Sequence, residues 1–451
     1  MATSTYSEIG STGLNRFMGM IEEEADRELR GDRWVKKVIE MQNDPVIGAM
    51  LFAAEMLCRQ VQWDVSPYSS ETESLAIADF VKAAIFDDQS MTWQDNTSEI
   101  LSMLPWGWYY PEIVWKQRLG QTPGSYRDEQ GREQQLPQSK FDDGLIGIRK
   151  LAPRAQETRD KWEFDPAGGI QGMWQRSADM MNPVLIPIDK ALLFRTTSRK
   201  NSPEGKSLLR APWRPYFYKH HMEQVEAIGI ERDLAGFPVA RIPSEFMNAT
   251  ATADQKAVLA AYERIVTEIK RDEREGIVLP SDRDDQGGYL YALELLSSGG
   301  SRQIDPDKPI QRYNALIAGS MLADFMLLGH ESVGSFALAS SKTNLFCIAL
   351  GAFLDVIKDI VNRHLIPRLL QLNGMDLKRA PTAVHDDVEQ IDIAELGDYV
   401  SKLSGAGIEG VFTPEAQRYL LQRANIPVAE EDAQVPNDTG GDPPGGEGLV
   451  P

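Results

Sequence analysis

Cysteine is scarce in this chain of 451 residues: there are two, Cys58 and Cys347, both in apolar helical surroundings. A disulfide framework is thereby excluded, and two buried, reduced thiols are expected. No CxxC pair and no evident histidine partner supports a thiol nucleophile or a thiolate metal site. Long apolar runs are missing too. Nothing reaches the ~18 uninterrupted apolar residues of a membrane span. The start, MATSTYSEIGSTGLN, is polar and has no apolar core of a secretory leader. The expectation is a chain made in a reducing cytoplasm, with no membrane partner. Basic excess is also lacking, because formal net charge is −20. A protein that coats nucleic acid would carry basic patches on a basic domain. DNA sliding past an acidic or neutral wall is still compatible with this charge.

Catalytic signatures are equally sparse. There is no G-x-S-x-G, HExxH or EF-hand loop. Gly205-Lys206-Ser207 imitates the end of a phosphate loop, but the position that needs its first glycine holds Lys200. His220 and His221 are neighbours, so on a helix they diverge by about 100° and do not share a metal well. His385-Asp386-Asp387 reads as a polar turn. No catalytic residue, metal site or cofactor is expected.

What is present is length and pattern. Hydrophobic residues make up 42% and charged residues 25%, the mix of a soluble α+β protein with two to four regions. Asp44-Pro45 supplies a cap and first-turn proline within a helical stretch from Trp34 to Cys58. Val61 to Val65 alternates as a strand. Helices are expected over Glu71 to Phe86 and Trp93 to Leu104. Strands are expected in the aromatic run from Trp106 to Lys116 and around 145–152, 160–164, 170–175 and 191–195, with a polar loop over 119–144. Ser207 to Leu234 is helical. A compact α/β insert follows: strand Phe237 to Ile242, helix Thr252 to Arg274 with Asp254 as cap, strand Gly276 to Pro280, strand Tyr289 to Leu295. A second helix runs from Pro309 to Leu328. Then comes a small, Ser/Gly-rich loop over 329–343. A helix beginning near Asn344 runs to about Leu372, apolar on more than one face in its first half. Such a helix is expected to be buried in a large assembly. Strands are expected near 376–392, short helices at Ile393 to Leu403 and Pro414 to Gln422, and a disordered acidic tail from Ala429.

The order helix, α/β insert, helix, flexible loop, long helix, small helical end resembles that of tailed-bacteriophage portal proteins. Residues 193–210 carry the likeness most specifically: Leu193-Phe194-Arg195, a polar turn, then Pro203-x-Gly205-x-Ser207-x-Leu209 leading into the first long helix. Ala235-Gly236-Phe237-Pro238 is similar to the turn that ends a portal stem, and Gly276-Ile277-Val278-Leu279-Pro280 to a clip strand. The branch most similar is that of the Mu-like phages.

The resemblance implies an arm at 1–29 and a wing at 30–206 and 344–392. It implies stem helices at 207–236 and 301–328, a clip at 237–300 and a channel loop at 329–343. A helical crown at 393–428 and a tail at 429–451 complete the subunit. It further implies a ring, usually of twelve copies, at one capsid vertex, through which double-stranded DNA enters and leaves. The packaging motor (the terminase large subunit) and later the head–tail adaptor would dock on the clip, among major capsid and scaffold proteins, in a virion assembled in the host cytoplasm.

Residues expected to face DNA are Arg302, Lys308 and Arg312 on the second stem helix, with Ser335, Ser340, Ser341 and Lys342 in the loop. Residues expected at the docking surface are Glu263, Arg264, Lys270 and Arg271, too heavily charged for burial. An alternative reading is another oligomeric head–tail connector without a packaging role. Such adaptors are usually shorter and lack the insert between two helices.

Overall fold

In the computed structural model, residues 10–388 are described except 128–130, 177–181, 236, 269–281, 284–286, 297–306 and 324–335. Beyond 388 only Lys402 is described. The chain divides into two compact units, Met1–Asp386 and Asp387–Pro451. The expected crown and tail fall in the second unit and, Lys402 aside, lie outside the described residues.

The first unit opens on a small hairpin, Arg16–Phe17 with Met20–Ile21. It docks on the strand Arg159–Phe164: the Trp162 N–H donates to the Gly19 carbonyl at 3.0 Å, and the Arg16 guanidinium lies 3.9 Å from the Phe164 ring centre. Two helices follow where one was expected, α1 (Gly31–Gln42) and α2 (Pro45–Arg59). Asp44 explains the break. Its backbone is extended, and its carboxylate accepts from the Val46 and Ile47 N–H groups as the cap of a new helix. Pro45, with no N–H to lose, sits in the first turn.

The next helices are α3 (Thr72–Lys82), α4 (Trp93–Leu101) and α5 (Met103–Trp106). They pack near antiparallel strand pairs: Glu112–Gln117 with Ile146–Ala152, Trp108–Tyr109 with Phe194–Arg195, and Trp63–Ser66 with Thr382–His385. A three-stranded sheet orders Val184–Pro187, Ile170–Gln175 and Arg159–Phe164. Trp108, Tyr110, Trp162, Met173, Ile186 and Leu193 form one buried cluster on these strands. The expected loop over 119–144 contains a hairpin, Ser125–Arg127 with Glu133–Gln135. Its base is fixed by buried charge. Lys116 lies 3.1 Å from Asp88, which also accepts from the Ser139 hydroxyl and the Lys140 N–H.

The first long helix, α6 (Trp213–Ala235), starts later than Ser207. Ser207 instead caps a single turn over Leu208–Arg210, and Pro212 prevents that turn from running on. The insert follows as expected in outline: strand Phe237–Arg241 pairs antiparallel with Ala292–Leu296, and α7 (Ala253–Glu268) packs over them. Its cap is Thr252 rather than Asp254. The Gln255 N–H donates to Thr252 Oγ1 at 3.3 Å and the Thr252 N–H to Gln255 Oε1 at 2.8 Å, a reciprocal capping box. The expected strand at 276–280 lies outside the described residues.

Helix α8 (Asp307–Ser320) runs back beside α6, with Tyr218 and Tyr313 stacked 6.2 Å apart. It ends well before Leu328. Leu322 takes a left-handed backbone (φ 59°), while the Ala323 N–H donates to Ala318 O and the Leu322 N–H to Gly319 O. This is a Schellman stop without its usual glycine. The final long helix, α9, spans Phe336–Ile360 and therefore begins earlier than Asn344. Ala337, Leu338 and Ala339 are strong helix formers, and they outweigh the Ser/Gly character of the flanking stretch. A π turn over Val361–Leu365 then joins it to α10 (Ile366–Leu372). Pro367 lies in the first turn of α10, where its missing N–H is absorbed by the widened turn.

Candidate functional site

The junction between α6 and the α1–α2 pair is built from apolar and charged layers. Trp34, Val38, Met41, Ile47, Leu209, Trp213, Tyr216 and Ile317 form one buried cluster, so α1, α2, α6 and α8 share a core. Into that core reaches Lys219, whose Nζ lies 2.6 Å from Asp44 Oδ2, both side chains only 5% exposed. One residue, Asp44, thus starts α2 and holds α6. Tyr216 adds a hydroxyl bond to Glu40 at 3.1 Å; burial, with Glu40 beside it, pushes the phenol well above its usual range.

Beyond Lys219, α6 leaves this core. Along α6, Phe217, Val225 and Ile228 are 51%, 55% and 49% exposed, an apolar stripe about half covered among the described residues. The expectation that α9 is buried all round is met on one side. Phe346, Leu350, Leu354 and Ile357 are buried, while Leu345 and Ile348 are 51% and 64% exposed.

The segment 193–210 explains itself physically. Gly205 lies against Gly107, and a Cβ at Gly205 would stand 2.2 Å from Gly107 O and 2.7 Å from Thr196 Oγ1. Gly107 itself has φ 93°. Ser207 donates to the Pro105 carbonyl at 2.5 Å and accepts from the Leu209 N–H at 3.0 Å. The Gly-x-Ser-x-Leu spacing is therefore a tight structural turn that aims α6, not a phosphate loop.

The expected contact residues separate into four groups. Lys308 and Arg312 are exposed on α8, one turn apart, with Arg312 lying 5.1 Å from the Tyr313 ring centre. Glu263 and Arg264 are exposed on α7, whose inner side is held by Tyr262 stacked on Tyr291 at 6.0 Å. Ser340, Ser341 and Lys342 are not in a loop: all three lie within α9, and Lys342 is half-buried. Ser335, Arg302, Lys270 and Arg271 lie outside the described residues.

The histidine pairs behave as ordinary polar residues. His220 stacks on Tyr216, and His385 packs 4.9 Å from Trp63 with Asp355 at 3.4 Å. Among the described residues no group of acids, histidines or cysteines could hold a metal, and no helix is long and apolar enough to cross a membrane. Missed by sequence reasoning were Asp44 and Lys219 as partners. The Asp-Pro cap signal marks the first, but nothing local marks the second.

Residues 37–426 match the family described as the portal protein of Mu bacteriophage. The chain belongs to this family. Its function is that of a phage portal protein, and the family is a structural one. Among solved structures, one similar chain comes from the neck of an empty GTA particle: 12% identity, TM-score 0.47, covering 90% of this chain and 95% of that one. An HK97-family phage portal protein from Corynebacterium diphtheriae shares 11% identity at a TM-score of 0.41, covering 77% of this chain and 94% of its own. The family assignment rests on the sequence match rather than on these distant likenesses.

Proposed function

We propose that this portal protein assembles as a ring, of twelve copies in the virion, at a single capsid vertex. In this reading α6 and α8 are the stem, residues 237–300 the clip, and residues 30–206 with 344–392 the wing, preceded by an arm at 1–29. The observation that carries it is the family match over 37–426, which takes in the pair α6 and α8 and the α/β insert between them. Double-stranded DNA passes along the ring axis. A net charge of −20 per subunit suits a conduit, because a wall dense in Lys and Arg would trap DNA through counterion release. The exposed Lys308 and Arg312 on α8 are proposed to face DNA. Arg302, Ser335, Ser340, Ser341 and Lys342 complete the proposed set, with residues 329–335 as the channel loop. The α7 face bearing Glu263 and Arg264, together with Lys270 and Arg271, is proposed as the docking surface for the terminase large subunit and then the head–tail adaptor. Capsid and scaffold proteins would contact the periphery.

Negative-stain images of the purified protein test the ring. Rings with a central hole are expected; a population of compact monomers at micromolar concentration would overturn it. Reversal of Lys308 and Arg312 to glutamate tests the stem. Ring assembly should be unchanged, since both side chains are exposed, while DNA packaging into proheads should fall several-fold. Unaltered packaging by intact rings would remove these residues from the channel.

A further inference from the structure

Where the α9–α10 rod crosses the segment that precedes the stem, a cavity of about 380 Å³ opens. Its apolar wall includes Ile188, Leu193 and Ile360. Its polar side holds two guanidiniums and an imidazole: Arg195 comes from the strand Phe194–Arg195, His364 from the π turn, and Arg368 from α10. We propose that this cavity binds a small organic phosphate, with the anionic head between Arg195, His364 and Arg368 and an apolar body against the aliphatic wall.

The charge balance supports the head group. Arg195 Nη1 donates to Ser202 O at 2.7 Å and to Asn201 Oδ1 at 3.3 Å, both neutral acceptors. Arg368 donates to Ala191 O at 2.7 Å and Ile188 O at 3.2 Å, again neutral. Each guanidinium has five N–H donors, so part of each fork is left to meet a ligand. Among the described residues the hydrogen-bond partners of both arginines are these neutral oxygens. The one acid in the wall is Asp189, exposed at the rim; burial lowers the pKa of Arg368, and Asp189 offsets that only in part. The local field is positive as well: burial first, then the charges of Arg368, Arg363 and Arg195, push His364 below its usual value. A dianionic phosphate would relieve this excess more fully than a carboxylate, and bidentate arginines match its geometry.

The backbone around the cavity is irregular on both sides. His364 is presented by a π turn, a feature frequent at functional sites. Opposite, Lys200 and Asn201 take left-handed conformations (φ 54° and 52°) in succession. Two non-glycine residues held there store strain of order 1–3 kcal/mol each. A cavity of this size with a mostly apolar wall and converging polar groups is the usual form of a small-molecule site.

The test uses the full-length protein in chloride buffer and saturation-transfer difference NMR. Phenyl phosphate is the probe, with benzoate and benzyl alcohol as carboxylate and neutral counterparts. Phenyl phosphate should bind more tightly than either and be displaced by inorganic phosphate. His364→Glu, at an exposed position, should weaken it by about tenfold or more by placing a carboxylate beside the phosphate. Arg195→Gln serves as a second variant, with folding checked by circular dichroism. Benzoate or benzyl alcohol binding as well as phenyl phosphate would overturn the proposal, as would unchanged binding in a folded His364→Glu protein. Ring assembly, observed separately, bears on the portal reading and not on this site.

Discussion

Replacing Lys219 by methionine should destabilise the subunit by about 3 kcal/mol, the lower end of the range for breaking a buried ion pair. Lys219 and Asp44 are each 5% exposed and 2.6 Å apart, so removal of the ammonium strands a carboxylate out of water. The lower end applies because Asp44 keeps its bonds from the Val46 and Ile47 N–H groups, at 3.0 and 3.2 Å, and the positive end of α2. Asp44→Asn should cost less, about 1–2 kcal/mol. Asparagine still caps a helix, and Lys219 retains Glu223 at 3.8 Å. The double variant should then recover at least 1 kcal/mol relative to the sum of the single costs, since neither group is left charged without its partner. The assay is urea unfolding followed by tryptophan fluorescence, with Trp213 in the same core. Protomer concentration must be fixed, because assembly contributes to apparent stability. A buried pair is screened little, so 0.5 M salt should leave the differences intact. The reasoning fails if Lys219→Met costs under about 0.5 kcal/mol, or if the two substitutions add without coupling.

Gly205→Ala should cost more than about 4 kcal/mol, enough to abolish soluble expression, because its methyl would meet the Gly107 carbonyl at 2.2 Å. Soluble yield and thermal melting check it, with Gly124→Ala, where nothing lies within 4 Å of the added carbon, as the tolerated control. Leu322→Gly should stabilise the end of α8 by up to about 1 kcal/mol by relieving a left-handed leucine; slower hydrogen exchange at Ala323, whose N–H donates to Ala318 O, reports it. Thr252→Ala should loosen the start of α7 by about 1 kcal/mol, seen as faster exchange over Ala253–Lys256 with no change elsewhere.

Local chemistry made much of this fold legible. The Asp44-Pro45 cap and the alternation before Val65 each act within a few residues, so a sequence window contains their cause; at the start of α7 the window also offered Asp254, and the cap is Thr252 with Gln255. Three features lay outside such windows. Lys219 and Asp44 meet only because α6 returns to α2, 175 positions away. Leu322 ends α8 in a conformation its own type disfavours, so only the bond from Ala323 to Ala318 reveals the stop. The start of α9 was obscured by serines and glycines whose weak propensities are overridden by the alanines and leucine among them. The candidate site was harder still. Exposed Lys308 and Arg312 can be named as cations on a helix from spacing, but in the proposed ring the wall they face would be set by neighbouring subunits, and no subunit sequence encodes that locally.

That last point gives the exposed apolar residues their meaning. A closed ring is heterologous: each subunit must carry two different patches that fit one another. The stripe Phe217, Val225, Ile228 on α6 and the pair Leu345, Ile348 on α9 are separate faces of one subunit, each about half exposed or more. Full burial of such a side chain is worth roughly 1.5–3 kcal/mol, so covering the remaining half of five of them supplies about 4–8 kcal/mol per contact. That is comparable with the whole stability of a small domain. The same residues on a monomer would be an aggregation liability. In the proposed ring each contact repeats around a closed circle with no free end, and the helices that look too apolar for a surface become the walls between neighbours.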